Sequence, residues 1–109
     1  MIREYILPLG TVVKLDEDKQ EVIIVGRAQL YKENETMGYF DYAAVMYPHG
    51  IVGDSQLMFF NDEDIAEVVF EGYRNEEEIA FAEIYETEIA KTTYPKLSVE
   101  SVQQSTSES

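Results

Sequence analysis

The side chains able to do chemistry are few, and their spacing does not suit it. His49 is the single histidine and cysteine is absent, so neither a histidine-based metal cluster nor a Cys/His pair can be assembled. A Ser/His/Asp arrangement would have to join His49 to Asp54 and Ser55. These crowd one turn, with no strand–turn–helix elbow around the serine. His49 therefore reads as a turn residue. The acid clusters Asp16-Glu17-Asp18 and Asp62-Glu63-Asp64 have the oxygens calcium takes, without the alternate-position ladder, central glycine and terminal glutamate of a calcium loop. The first reads as a solvated loop and the second as a helix cap. Gly26-Arg27 and Gly50-Ile51-Val52-Gly53 miss the spacing and following lysine of a phosphate loop. The chemistry expected is therefore none: not an enzyme, no cofactor, no metal.

Tyrosine is the more suggestive residue, with eight in 109. Its apolar body and polar tip suit protein interfaces, although Tyr42, Tyr47 and Tyr73 also suit a small core. Charge points the same way. Eight Lys and Arg against 22 Asp and Glu leave a net −14, which opposes a basic face for nucleic acid or anionic lipid. It suits a basic or apolar protein partner, or simply a well-solvated surface. No apolar h-region follows Met1 and no apolar run reaches membrane-spanning length. The expectation is a soluble, cytoplasmic, single-domain protein with no membrane insertion.

The elements that must position these residues centre on Val22-Ile23-Ile24-Val25, followed by Gly26-Arg27. Four β-branched residues in a row predict a central strand buried on both faces, from about Gln20 to Tyr31, with a bulge or bend at Gly26. Thr11-Val12-Val13-Lys14-Leu15 precedes it as a first strand, and Asp16–Lys19 is the hairpin loop between them. A polar connection from Lys32 to Gly38 leads to a third strand, Phe40–Tyr47, closed by the turn Pro48-His49-Gly50. Gln56–Phe60 reads as a fourth strand. Asn61 caps a short helix, and Glu67–Tyr73 is a fifth strand, although Ile65, Val68 and Val69 also fit helical spacing. Asn75 opens the clearest helix: Glu76, Glu77 and Glu78 fill its first turn, Glu78 completes a capping box, and Phe81, Ile84, Tyr85 and Ile89 make one apolar stripe. Tyr94-Pro95 stops it. Residues 1–95 form the domain and 96–109 a disordered tail.

In order and spacing these segments resemble a small family encoded in Firmicutes beside LXG toxins of the type VIIb secretion system. The likeness is carried by Leu7-Pro8-Leu9-Gly10-Thr11-Val12-Val13, Ile23-Ile24-Val25-Gly26-Arg27, Phe40-Asp41-Tyr42, Tyr47-Pro48-His49-Gly50, Phe60-Asn61, Asp64-Ile65, Val68–Tyr73 and Glu77-Glu78 before Phe81. The family carries an acid in the position of His49, so no role passes to that side chain. Members are described as targeting chaperones that bind the N-terminal LXG domain of the toxin. The resemblance implies a non-enzymatic export adaptor whose partner is an LXG-type effector, with or without a second small helical adaptor. The alternative is an immunity protein that neutralises the toxin's C-terminal domain. The fold expected is α+β: a strongly curved five-stranded antiparallel sheet, an SH3-like partial barrel, with a short helix and a C-terminal helix packed on it. The partner-binding residues expected are Tyr39, Tyr42, Tyr47 and Tyr73, with Arg27 as a polar anchor.

Overall fold

Two long strands carry the sheet. In the computed structural model, which describes residues 5–15, 20–33, 35–53 and 57–98, β2 (Glu21–Glu33) pairs antiparallel with β3 (Thr36–Met46). The ladder runs from Val22↔Met46 to Glu33↔Thr36. The polar connection predicted from Lys32 to Gly38 is thus mostly strand. Pairing along the whole hairpin satisfies the backbone groups of these residues, and that outweighs their weak individual preference for strand. β1 (Val12–Lys14) lies on the other side of β2 and pairs in turn with β5 (Glu67–Phe70), while β4 (Met58–Phe60) lines the outer side of β3.

The order is β4-β3-β2-β1-β5, all pairs antiparallel. β4 and β5 are opposite edges, so the sheet is open. The fold is α+β, with five antiparallel strands, a 3-10 turn at Asp62–Asp64 and one helix, α1 (Glu76–Ile89), among the described residues. The expected Asp16–Lys19 loop, Asp54 to Gln56 and the tail from Val99 lie outside the described residues.

β2 holds the expected bulge. Ile24 pairs with Ala44 but Gly26 pairs with Ala43, leaving Val25 as the extra residue. The burial expected on both faces is found on one. Val22 and Ile24 are 1% and 0% exposed, whereas Val25 is 44% exposed. An antiparallel sheet with a single helix leaves part of its second face to water. Val22 and Ile24 join Leu7, Val13, Tyr42, Ala44 and Phe60 in one core, with Ile6, Leu15, Met58, Ile65 and Val68 packed around it. Outside that core, Tyr31 meets Phe40 and Phe59 edge-on, with ring centroids 5.8 and 5.1 Å away.

The segment before β1 is tied down by polar bonds. The Gly10 N–H donates to the Ile24 carbonyl at 2.8 Å, and the Ile24 N–H to the Thr11 carbonyl at 2.9 Å. Thr11, fully buried, donates its hydroxyl to the Pro8 carbonyl at 2.7 Å and accepts from the Gly72 N–H at 3.0 Å. Gly72 thereby lies directly on this segment.

Helix α1 starts as predicted: Asn75 Oδ1 accepts from the Glu78 N–H at 2.8 Å. Glu78 does not close the capping box, because its carboxylate bonds two arginines. The predicted stripe is also redrawn. Ala82 and Tyr85 are the buried residues, and Ile84 is 52% exposed. Nor does the predicted tail begin loosely at Lys96. Residues 95–97 bond to β3 at Tyr39, and the Leu97 carbonyl accepts from Asn61 Nδ2 at 2.6 Å.

A Cβ on Gly72 would lie 2.3 Å from the Leu9 carbonyl oxygen and 2.9 Å from Gly10 C. Gly72→Ala is therefore expected to destabilise the domain by about 1–3 kcal/mol, read as a lower urea midpoint. An unchanged midpoint contradicts this close approach.

Candidate functional site

Arg27 leaves β2 toward the helix and meets Glu78 at 2.7 Å, with both side chains 11% exposed. The second Glu78 oxygen is bonded by Arg74 Nη1. Each arginine also reaches the segment before β1: Arg27 Nη1 donates to the Leu7 carbonyl at 3.4 Å, and Arg74 Nη2 to the Ile6 carbonyl at 2.8 Å. The Arg27 guanidinium further lies 4.2 Å from the centre of the Phe81 ring. Arg27 is thus an internal anchor that joins β2, α1 and the N-terminal segment. Its charges are spent within the chain.

Beside this latch opens a cleft of about 450 Å³, lined in part by Tyr39, Asp41, Tyr42, Asp62, Glu63, Tyr85, Glu86 and Lys96. Asp41 is its hub. One oxygen accepts from the Tyr85 hydroxyl at 3.3 Å. The other accepts from the Asp62 N–H at 3.0 Å and lies 3.2 Å from Lys96 Nζ. A second relay runs alongside: the Leu7 N–H donates to the Tyr42 hydroxyl, which donates to Asp62 Oδ1, both at 3.0 Å.

Burial, first of all, raises the Tyr85 hydroxyl far above the ordinary tyrosine range, and the charge of Asp41 adds to it. Burial likewise raises Tyr42; the Leu7 N–H offsets part of that rise, and the carboxylate of Asp62 adds to it. Tyr39 is raised more mildly, by burial and then by Asp41. For Lys96 burial acts downward, but Asp41 and Glu63 outweigh it and hold the ammonium above its usual range. These hydroxyls remain protonated donors at neutral pH, so the cleft offers hydrogen bonds and negative charge. Among the described residues, no group of three or more histidine, aspartate or glutamate side chains is placed to hold a metal ion.

The structure scatters the sequence-predicted residues. Tyr42 is 1% exposed and belongs to the core. Tyr39 lines the cleft. Tyr47 and Tyr73, 45% and 80% exposed, stand respectively beyond the end of β3 and after β5. Five residues chosen for one surface therefore occupy a core, a latch, a cleft and two exposed positions. Asp41, Asp62, Tyr85 and Lys96 are the cleft residues that sequence reasoning missed. Asp41 carries a signal, since it is the one acid within the otherwise apolar run Tyr39–Met46. Lys96 carries none. His49 sits exposed in the turn after β3, as its sequence context suggests.

A family model described as "Domain of unknown function (DUF4176)" matches residues 6–81, which is more than half of the chain. No curated protein and no solved structure matches it. No helix among the described residues is long and apolar enough to cross a membrane.

Arg27→Met removes the ion pair and the ring contact but leaves Glu78 with Arg74. It is expected to cost about 2–3 kcal/mol, measured by urea unfolding; no loss would show that the latch contributes nothing. The raised tyrosines set a pH dependence. In the unfolded chain they ionise near about 10, while folded Tyr42 and Tyr85 keep their protons beyond that. The unfolded state then binds fewer protons, so stability falls as pH rises above about 10. The contribution of Lys96, present below its unfolded value, is lost in the same alkaline range. The urea midpoint is expected to drop there, with Tyr42 and Tyr85 ionising only as the chain unfolds. An absorbance titration in which every tyrosine ionises near pH 10 (about the ordinary value) with the fold intact would contradict it.

Proposed function

The chain belongs to the DUF4176 family, and from that premise we propose that it is a non-enzymatic targeting chaperone. Its partner in this reading is the N-terminal LXG domain of a toxin, held for export by the type VIIb secretion system. One observation supports a partner-binding role above the rest. Among the described residues β5 is an edge strand paired only with β1, and its border there is apolar and open, with Phe70 62% and Tyr73 80% exposed. Val69 and Leu9, 42% and 48% exposed, extend it. A solvated edge is ordinarily blunted by charge or proline, and an apolar one attracts another chain. Aromatic side chains on such a border are the usual anchors of a protein interface. The chain's overall net charge of −14 favours a partner with basic flanks.

The SH3-like partial barrel belongs to the same proposal. The bulges that leave Val25 and Val69 unpaired in their ladders support it through the added local twist they bring. A solved structure in which β4 and β5 curl toward each other would establish it.

A pull-down with the neighbouring LXG toxin split in two tests the function. Capture by the N-terminal helical half alone is the expected result. Capture by the toxic half alone would make the protein an immunity protein, and capture by neither would overturn the assignment. Phe70→Ala and Tyr73→Ala should each weaken capture by about tenfold or more while leaving the unfolding midpoint in place.

A further inference from the structure

The outer edge of β3 is only partly covered by a strand. β4 pairs with Tyr42 to Ala44. Next to it the Asp41 N–H donates to Asn61 Oδ1 at 3.0 Å, so a side chain stands where the ladder would continue. At Tyr39 the strand's place is taken by the chain's own Pro95-Lys96-Leu97. The Tyr39 N–H donates to the Pro95 carbonyl at 3.0 Å, and the Leu97 N–H donates to the Tyr39 carbonyl at 2.8 Å. Together these make a parallel bridge between Tyr39 and Lys96. Gly38 leaves the room for it, since a Cβ there would lie 2.7 Å from the Pro95 carbonyl oxygen.

The backbone seat is sequence-tolerant; the side-chain seat is not. From this bridge Lys96 enters the acidic cleft, with Nζ 3.2 Å from Asp41 and 3.1 Å from Glu63. Among the described residues four carboxylates line the cleft, those of Asp41, Asp62, Glu63 and Glu86, against one ammonium, so 4 − 1 = 3 negative charges remain in excess. The Lys96 side chain is still 38% exposed. The two bridge bonds, the Asn61 bond to the Leu97 carbonyl and the Lys96 ion pairs are thus the polar ties of this short segment, each of modest net strength, and its lysine end is open to water.

We propose that the β3 edge at Tyr39 and the adjoining acidic cleft are a binding site for an extended, lysine-bearing peptide segment of a partner protein, and that Pro95-Lys96-Leu97 fills this site as an internal competitor. An incoming segment makes the same two backbone bonds at Tyr39, sets its ammonium between Asp41 and Glu63, and continues along the β3 edge toward Met37. This is strand addition with one charge-selective pocket. The negative field of the whole chain steers basic segments toward it. The site is separate from the β5 border, at the opposite edge of the sheet, and stands whether or not an LXG domain is the partner.

The test uses the full chain and a fluorescent nine-residue peptide copying residues 92–100. Lys96→Ala, an exposed substitution, removes the internal cation and frees the pocket. The peptide is expected to bind the Lys96→Ala chain about tenfold more tightly than the unaltered chain, because the blocked fraction of sites no longer reduces the apparent affinity. Binding should vanish when the peptide's own lysine is replaced by alanine, and weaken in the double variant Lys96→Ala/Glu63→Gln. In the unaltered chain, excess peptide should speed hydrogen exchange at the Leu97 N–H while the Tyr39 N–H stays protected. Equal affinity for the unaltered and Lys96→Ala chains, or binding indifferent to the peptide's lysine, overturns the proposal.

Discussion

The rest of the structure depends on one carboxylate shared by two arginines. Glu78, in the first turn of α1, is gripped by Arg27 from β2 and Arg74 from the loop before the helix. The same arginines donate to the Leu7 and Ile6 carbonyls. Helix α1 buries only Ala82 and Tyr85, too little apolar surface to hold it by hydrophobic packing alone. Its seat is thus electrostatic, and it is directional where apolar packing would let the helix slide. Buried ion pairs contribute little net stability against an apolar substitute, but they admit few alternative geometries. That geometry places Tyr85 over Asp41 and so shapes one wall of the acidic cleft.

Two borders of the sheet are treated differently. At β3 the chain covers its own exposed edge with β4, a side-chain amide and residues 95–97. At β5 none of the described residues does so, and Phe70 and Tyr73 stand exposed. Covering an edge protects against unwanted pairing; leaving one open has no benefit to the isolated fold. The contrast is what supports the role proposed for the β5 border.

Local signals were legible in the sequence, and distant pairings were not. The β-branched run, the bulge at Gly26, the turn at Gly50 and the Asn75 cap each arise from a few neighbouring residues, and the structure has all four. The motif Leu7–Val13 and the glycine of Val68–Tyr73 carried the family likeness, and they meet through Thr11 and Gly72. What no local pattern could reveal was which charges neutralise each other. Arg27 reads as an anchor for a partner until Glu78 is seen against it. Tyr42 suits an interface or a core equally until Leu7 and Phe60 are seen packed with it. Lys96 sits in a polar stretch indistinguishable from a tail, yet its ammonium reaches Asp41, far away in sequence. Side-chain periodicity predicts which face is buried, but not which partner lies there.

The pairing of β1 with β5 bears on the order of folding. β2 and β3 are close neighbours in sequence and can zip locally, whereas Val12 must find Phe70 across most of the domain. Closing so long a loop is entropically late, and such contacts form after the local hairpin in most small domains. The border of Phe70 and Tyr73 therefore comes into being only with the finished sheet. A partner that read this border, as proposed above, would recognise completed copies and pass over nascent ones, so that recognition would carry quality control with it.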